Sequence, residues 1–463
     1  MRYVSTRGNA PVLNFEDTML TGLASDGGLY VPESVPLLSH DEIARMYLGS
    51  YEDAAFTVMY PFVGDTFEED EFHHLIGSAY EEFGHVSRAP LKQIGDGQWL
   101  LELFHGPTLA FKDFAMQLIG EMFQTVLKRS GRRITIVGAT SGDTGSAAIE
   151  AFRGLENVDV CILYPHGRVS EVQRRQMSTP VESNVHALAV DGTFDDCQRH
   201  LKDMFADIPF RDEVSLAAVN SINWARVMAQ VVYYFTSAVA LGAPDRRVSF
   251  CVPTGNFGDV YAGEIARRMG LPIERLVVAT NQNDILDRAF RTGEYRTGKV
   301  HPSISPSMDI QVSSNFERLL FDAYGRDGNA VAQVMQELRE HGGFSISQGA
   351  HQAILEHFSS GSVDESETSD RITSTLANSL ELVCPHTAVG IEVAEDHHDI
   401  SVPMITLATA HPAKFPDAVE AATGIRPPLP KRMSDLYDRS ERISQVPNNL
   451  TAIEDVIREK RAK

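Results

Sequence analysis

The sequence is poor in cysteine and in positive charge, and it has no long hydrophobic run. Its four cysteines are far apart in 463 residues and form no Cys-x-x-Cys pair, which argues against a disulfide framework or a cysteine zinc site. The longest apolar run, near residues 231–243, is too short to span a bilayer. The N-terminus lacks the apolar core of a signal peptide. We therefore expect buried free thiols in a reducing compartment, and a cytoplasmic location.

Acidic residues outnumber basic residues by 63 to 41, which gives a formal net charge of −22. Such an excess repels nucleic-acid phosphates and anionic lipid headgroups, so neither nucleic acid nor a membrane is an expected partner. Three histidines stand in short distinctive segments, His105 in HGPT, His386 in CPHTAVG and His411 in AHPAKF. Their spacing fits no metal site, so we expect hydrogen-bonded structural histidines and no bound metal.

The chain alternates short apolar runs with helical patterns, which is typical of β-α-β units in a parallel sheet. Amphipathic stretches over 41–59 and 68–83 predict a mostly helical N-terminal region, and 452–461 predicts a further helix. The acidic, serine-rich stretch 359–370 predicts a solvated loop. The fold class is therefore α/β, with predicted strands at 134–139, 158–164, 185–190, 248–253, 276–280 and 404–410.

Two predicted strand-to-helix junctions carry loops rich in glycine and threonine, SGDTG at 141–145 and TGNFGD at 254–259. Small residues let backbone N–H groups approach an anion at the positive end of a helix, and open α/β sheets bind ligands at such junctions. Neither loop matches the GxGxxG or GxxxxGK[ST] nucleotide patterns. Either loop alone could be structural, whereas two in one chain favour a ligand with two separate anionic groups.

A lysine stands among aromatic residues at a predicted helix start. Apolar residues recur with helical spacing from Ala115 onward, which predicts that the helix begins near Lys112 and Asp113. Phe111 and Phe114 flank the lysine and would desolvate its amine, which disfavours the charged form and makes the amine nucleophilic. Such lysines form Schiff bases with carbonyl compounds, pyridoxal phosphate among them. An ordinary surface lysine is the alternative that these residues leave open.

The motifs GLASDGGLYVPE, HGPTLAFKDFA, GATSGDTGSAA and PTGNFGD together resemble the threonine synthase family, in its longer bacterial and fungal form. The similarity runs from residue 2 to residue 415. It implies a pyridoxal-phosphate enzyme of fold type II, with two parallel-sheet α/β domains, the active site between them and a mostly helical N-terminal domain. The implied domains are an N-terminal domain at 1–90, a large cofactor-binding domain at 91–130 and 205–425, a smaller mobile domain at 131–204 that carries SGDTG, and a C-terminal extension at 426–463.

The resemblance also implies roles for individual residues. Lys112 would hold the cofactor as an aldimine and move protons at the substrate Cα and Cβ. Thr409 would bond the pyridine nitrogen and Asp143 would lie near the ring hydroxyl, while the cofactor phosphate would be cradled by Gly255, Asn256, Phe257, Gly258 and Asp259. The substrate would be bound by Ser141, Thr144, Ser221, Asn223 and Arg226. Among these, Arg226 suits the substrate phosphate because a guanidinium binds phosphate in a bidentate manner.

The implied reaction converts O-phospho-L-homoserine and water to L-threonine and phosphate, the last step of threonine biosynthesis, by γ-elimination and β-addition of water. One alternative is a pyridoxal-phosphate phospholyase or dehydratase that releases 2-oxobutyrate, because it needs the same lysine and phosphate loop. A nucleotide-binding dehydrogenase lacks its GxGxxG motif here, and a non-catalytic binding protein has no use for Lys112. The expected partner is a small-molecule substrate, and the expected state is a monomer or homodimer.

Overall fold

A computed structural model describes residues 1–217 and 219–461. The chain divides into two compact units, each assembled from separate stretches of sequence. The first unit comprises Met1–Gly77, Phe83–His105 and Ser221–Pro427, and the second comprises Ser78–Glu82, Gly106–Asn220 and Pro428–Lys463. The four-part division implied by the resemblance is finer than this one and remains a prediction. Within the part of the chain that the structure describes, no helix is both long enough and apolar enough to cross a membrane.

The strands of the described residues include every run that the sequence predicted as a strand. In chain order they are β1 (Tyr3–Ser5), β2 (Tyr30–Pro32), β3 (Leu91–Gly95), β4 (Gln98–Glu102), β5 (Ile134–Ala139), β6 (Val158–Pro165), β7 (Val185–Val190), β8 (Leu216–Ala217), β9 (Val248–Pro253), β10 (Ile273–Thr280), β11 (Glu294–Arg296), β12 (Gly343–Ser345), β13 (Phe358–Ser362), β14 (Met404–Ala408) and β15 (Ile443–Val446).

The α-helices separate most of these strands. In chain order they are α1 (Phe15–Thr21), α2 (His40–Arg45), α3 (Tyr51–Val63), α4 (Glu69–Tyr80), α5 (Lys112–Ser130), α6 (Asp143–Phe152), α7 (Glu171–Ser178), α8 (Phe194–Ala206), α9 (Ile208–Glu213), α10 (Trp224–Ala240), α11 (Gly258–Arg268), α12 (Ile285–Thr292), α13 (Phe316–Ala323), α14 (Gly328–His341), α15 (Gln348–Leu355), α16 (Glu365–Ser379), α17 (Pro385–Asp396), α18 (Pro416–Thr423) and α19 (Leu450–Lys460).

The first unit is built on a six-stranded sheet with the order β13-β10-β9-β14-β4-β3. All neighbouring strands are parallel except the edge pair β3 and β4. The central strand β9 is buried along its whole length, as expected for a parallel strand covered on both faces. Because β9 and β14 are parallel neighbours, their carboxyl ends lie side by side, and the loops that follow them begin at the same edge of the sheet.

The second unit is built on a five-stranded parallel sheet with the order β15-β7-β6-β5-β8. Its core includes Val446 of β15 and Ile453 and Ile457 of α19. The residues expected to form a C-terminal extension thus add a strand and a helix to this unit. The two mainly parallel sheets confirm the α/β class, and α1 to α4 confirm that the N-terminal region is mostly helical.

One prediction about local structure is wrong. The stretch 359–370 is not a loop, because it contains the end of β13 and the first turns of α16. Its acidic residues serve the helix start: the Asp364 carboxylate accepts from the Glu367 N–H, and the Glu367 carboxylate accepts from the Asp364 N–H. The amphipathic stretch 41–59 is helical as predicted, and a short 3-10 turn and Gly49 divide it between α2 and α3.

Helices α5 and α6 of the second unit pack closely because α5 carries a glycine at the contact. A Cβ atom on Gly120 would collide with the backbone carbonyl oxygen of Ala151 in α6. Backbone atoms cannot move aside as a flexible side chain can. We therefore expect Gly120→Ala to lower the free energy of unfolding by about 1–3 kcal/mol, measured by urea denaturation. Gly131→Ala is not a suitable control because its φ is positive, whereas Gly77→Ala meets open space.

Glu150 on α6 gives the stability of the second unit a pH dependence. Burial raises the pKa of this carboxyl to about 7, and the Arg153 guanidinium, 2.8 Å away, opposes the rise. Because the folded state holds this proton more tightly than the unfolded chain, the stabilisation is present below the ordinary pKa of 4.5 and is lost as the pH rises through 7. Glu150→Gln should therefore gain roughly 2 kcal/mol over the wild type between about pH 5 and pH 8. Urea titrations at several pH values test this, and the exposed Glu156→Gln should show no such gain.

Candidate active site

The predicted site residues fall into two groups, one in each unit. Within each group the residues follow the carboxyl end of a strand or lie at a helix start. In the first unit, one loop follows β9, Thr409 follows β14, and a third segment leads into α10. In the second unit, Lys112 begins α5 and the SGDTG loop follows β5. The first unit contains Gly255, Asn256, Phe257, Gly258, Asp259, Thr409, Ser221, Asn223 and Arg226, and the second unit contains Lys112, Ser141, Asp143 and Thr144.

Lys112 is the first residue of α5, which confirms the predicted helix start. Its side chain is about 10% exposed, and Nζ lies 3.5 Å from Oδ2 of Asp143 and 4.7 Å from the centre of the Phe111 ring. The loop before Lys112 is fixed by Asp113, whose carboxylate accepts from the N–H and the hydroxyl of Thr108 at 2.8 and 2.5 Å. The amine is therefore held against a carboxylate in a largely water-free position.

The SGDTG loop is held by two residues that sequence reasoning missed. The hydroxyl oxygen of Thr140 accepts from the N–H groups of Gly142 and Gly145, both at 2.9 Å. The amide of Gln173 donates to Oδ1 of Asp143 at 2.9 Å, so the two oxygens of that carboxylate face different partners. Thr140 could have been found as the first residue after the strand, whereas Gln173 lies 30 positions from Asp143 and has no local signal.

The loop after β9 has the form of an anion cradle at the start of α11. Gly255 is required there, because a Cβ atom would lie 2.5 Å from the carbonyl oxygen of Ser307. Phe257, with φ of 63°, turns the chain through the left-handed region into α11. The first N–H groups of a helix carry partial positive charge, which favours an anion at this position. The hydroxyl of Ser313 donates to the Gly255 carbonyl at 2.6 Å and so fixes the loop.

Asp259 contributes to this loop through its backbone, because its carboxylate is hydrogen-bonded to two residues of α10. The carboxylate accepts from the hydroxyl of Tyr233 at 2.5 Å and from that of Tyr234 at 3.2 Å, and both tyrosines lie on α10. Burial raises the pKa of both tyrosines well above 10, with the carboxylate adding to the rise. These two hydrogen bonds join the loop after β9 to α10.

The third segment ends in a buried arginine. Asn223 caps α10 by accepting from the Ala225 N–H at 3.0 Å, and its amide donates to the Met19 carbonyl at 2.7 Å. Arg226 is 3% exposed, and among the described residues none accepts a hydrogen bond from its Nε or Nη1. Burial lowers the pKa of Arg226 to about 10, so the side chain is still a cation at neutral pH. A buried cation with unused donors calls for an anionic ligand.

Taken unit by unit, these features suit the groups of pyridoxal phosphate and of a phosphorylated substrate: the second unit offers an amine for a carbonyl carbon, and the first offers groups for phosphate. In the second unit the relevant feature is the buried amine of Lys112. In the first unit the features are the loop at Gly255, which has no room for a side chain, and Arg226, whose Nε and Nη1 have no acceptor among the described residues. Ser141 and Thr144 are half-buried at the start of α6, and Thr409 is nearly buried directly after β14. Whether these three residues touch a ligand remains a prediction.

The three histidines expected to be structural are hydrogen-bonded, as predicted. A ring nitrogen of His105 lies 2.7 Å from the Glu102 carboxylate. His386 accepts from the Ser307 N–H at 3.2 Å, and His411 accepts from the Ala413 N–H at 3.1 Å.

Three family models match the sequence and together cover most of it. They are described as threonine synthase N terminus over residues 2–80, pyridoxal-phosphate dependent enzyme over 85–368, and threonine synthase, C-terminal, over 387–457. A threonine synthase from Pseudomonas aeruginosa is 52% identical over 456 residues, which is 98% of this chain and 97% of that protein. A threonine synthase from Saccharomyces cerevisiae is 43% identical over 91% of this chain and 88% of its own length.

Solved structures agree with the sequence comparisons over the full length. The crystal structure of threonine synthase from Brucella melitensis, with pyridoxal phosphate bound, is similar with a TM-score of 0.97 at 54% identity and covers all of both chains. Threonine synthase from Escherichia coli is similar with a TM-score of 0.84 at 30% identity, covering 99% of this chain and 100% of that one.

Proposed function

The chain belongs to the threonine synthase family, and on that premise we propose that its substrates are O-phospho-L-homoserine and water and its products L-threonine and phosphate. It is a pyridoxal-phosphate-dependent lyase that makes threonine. The observation that best supports a phosphorylated substrate is Arg226, a buried cation whose Nε and Nη1 find no acceptor among the described residues.

We propose that Lys112 is the amine that removes the proton from the substrate Cα. The Asp143 carboxylate, 3.5 Å from Nζ, would orient the amine and balance its charge after it has taken the proton. The amide of Gln173 holds Asp143 in this position from the other side. The same amine would take the second proton from Cβ and return protons to Cα and Cγ.

Bound pyridoxal phosphate supplies an electron sink for the negative charge that develops at Cα and Cβ. Lys112 would hold its carbonyl carbon, the N–H groups of 255–259 its phosphate, Thr409 its ring nitrogen and Asp143 its ring hydroxyl. A hydroxyl partner such as that of Thr409 is neutral, which suits a ring nitrogen that carries no proton.

The remaining residues would act on the substrate itself. Ser141 and Thr144 at the start of α6 would donate to its carboxylate, where the helix end favours negative charge. Arg226 would hold the γ-phosphate and stabilise the charge that develops as the Cγ–O bond breaks. Water then adds at Cβ: its oxygen and one hydrogen become the threonine hydroxyl, and its other proton passes to the cleaved phosphate, so that phosphate and threonine are released in equal amounts.

Product analysis tests this function. The purified holoenzyme is incubated with O-phospho-L-homoserine, and phosphate, threonine and 2-oxobutyrate are measured together over time. We expect threonine equal to phosphate and no 2-oxobutyrate. Phosphate accompanied by 2-oxobutyrate would instead show a phospholyase, and phosphate release without either product would contradict both reactions.

A further inference from the structure

A second buried arginine of the first unit lies outside the proposed set of ligand-binding residues. Arg318 on α13 is fully buried, and burial lowers its pKa to about 10. Its guanidinium donates to the Tyr30 carbonyl at 2.8 Å, to the Ile222 carbonyl at 2.6 Å and to Oδ1 of Asn315. Within the described residues it forms no salt bridge, and each of these three acceptors is a neutral oxygen.

Asn315 extends these contacts to two segments of the candidate site. While its Oδ1 accepts from Arg318, its amide nitrogen donates to the Ser221 carbonyl at 3.1 Å and to the Asn256 carbonyl at 2.8 Å. Its backbone N–H also donates to the Asn256 carbonyl, at 3.0 Å. Asn315 is completely buried, so water does not compete for these bonds.

The contacts join the two segments that carry the proposed phosphate-binding groups. One is the Ser221–Arg226 segment, fixed through the carbonyls of Ser221 and Ile222, and the other is the loop after β9, fixed through Asn256. Because these carbonyls accept hydrogen bonds from Asn315 and Arg318, the two buried side chains hold both backbone segments in place. The choice of arginine follows from geometry, because a planar guanidinium reaches three acceptors at once whereas a lysine amine reaches fewer at a fixed position.

We propose that Arg318 and Asn315 are positioning residues that set the substrate-phosphate segment and the cofactor-phosphate loop in register. The pair touches neither phosphate and acts through Arg226 and through the N–H groups of the loop. This inference rests on the proposed function, because it takes the two segments to be phosphate sites.

The N-terminal region anchors this pair and so supports the site. The Tyr30 carbonyl accepts two bonds from Arg318, and the Met19 carbonyl accepts from Asn223 at the start of α10. The adjacent Glu317 accepts from the Thr6 hydroxyl at 2.6 Å and pairs with Arg7 at 2.9 Å, which fastens α13 to the N-terminal strand.

The test measures phosphate binding in variants of the two residues. Asn315→Ala, Arg318→Lys and Arg318→Met are prepared as cofactor-saturated enzymes, and inorganic phosphate is titrated by calorimetry alongside steady-state kinetics with O-phospho-L-homoserine. We expect Asn315→Ala and Arg318→Met to raise the phosphate dissociation constant and the KM at least tenfold, with a smaller change in kcat. Arg318→Lys should fall between these variants and the wild type. If Arg318→Met does not fold, Asn315→Ala decides the question.

Arg371→Met serves as the control, because Arg371 makes salt bridges with Glu392 and Glu395 on α17 and is not among the residues proposed to bind or position a phosphate. A structural role alone would give an equal loss of phosphate affinity in this control at an equal loss of Tm, which would overturn the proposal. A phosphate dissociation constant and KM within twofold of wild type in Asn315→Ala would overturn it as well.

A double variant shows whether the pair acts through Arg226. In an Arg226→Met background, adding Asn315→Ala should weaken phosphate binding by less than twofold, and a full additional tenfold loss would contradict the proposal. Failure of the proposed function is seen separately in the wild type: binding of phosphate without threonine formation rejects that function, whereas threonine formation with unaffected variants rejects only the positioning role.

Discussion

Lys112→Ala is expected to reduce threonine formation by roughly 10³-fold or more, because it removes the proposed base at the substrate Cα. Neither of the two contacts described for Lys112 supplies another amine: Phe111 is apolar, and Asp143 lies 3.5 Å from Nζ as the partner of that same amine. The measurement is kcat with O-phospho-L-homoserine at saturating cofactor. An activity within tenfold of wild type would contradict the role of Lys112.

Two control variants separate the chemistry from the fold. Lys112→Arg keeps a cation opposite the buried Asp143, so it should stay folded with little change in Tm while remaining inactive. Lys128→Ala removes an exposed lysine from the last turn of the same helix and should keep full activity. Loss of activity together with loss of folding in Lys112→Arg would mean that the ion pair, rather than the amine, explains the effect.

Arg226→Met is expected to have opposite effects on stability and on phosphate binding. In the ligand-free protein the Arg226 cation is buried with Nε and Nη1 unsatisfied among the described residues, and an apolar side chain of similar volume avoids that cost. The free energy of unfolding of the ligand-free protein should therefore rise by about 1–3 kcal/mol. Phosphate binding should fall by roughly 10²-fold, because the charge-assisted bonds are lost.

Thermal unfolding with and without inorganic phosphate measures both effects. The wild type should gain stability as phosphate is added, whereas Arg226→Met should start higher and gain almost nothing. Arg226→Lys keeps the charge without the planar fork and should show an intermediate response. A phosphate-induced rise in Tm that is equal in wild type and Arg226→Met would contradict the assignment, and the exposed Arg246→Met should behave as wild type.

The burial of Arg226 also predicts a pH dependence of stability. Burial lowers its pKa to about 10 from the ordinary 12.5, so the folded protein releases this proton before the unfolded chain does. The destabilisation from this group is therefore complete below pH 10 and disappears as the pH rises toward 12.5. At neutral pH the whole cost is present, which is why the Met variant should be measured there.

Local pattern was enough to predict most of the framework. The runs 134–139, 185–190 and 248–253 are strands with those bounds, and Lys112 begins its helix as expected. These elements combine apolar runs, turn residues and helix starts that lie within a few positions of one another. Such signals are contained in a short window of sequence, so tertiary contacts did not need to be known.

The errors and omissions have a common physical cause, which is distance along the chain. Serine and acidic residues at 359–370 have the composition of a loop, yet they form the edge strand β13, which pairs with β10, and the capped start of α16. The supports of the site were missed for the same reason. Gln173 reaches Asp143 across 30 positions, and Arg318 reaches Tyr30 across 288, so no local pattern marks either contact.

The identity of the reactive lysine is the central claim, and reduction of the holoenzyme with borohydride followed by peptide mapping tests it most directly. Borohydride fixes the cofactor permanently on the amine that holds it. We expect the cofactor mass on the peptide that contains Lys112. Pre-incubation with O-phospho-L-homoserine should lower the yield, because the substrate amine takes the place of the lysine amine. Cofactor mass on a different lysine would contradict the account.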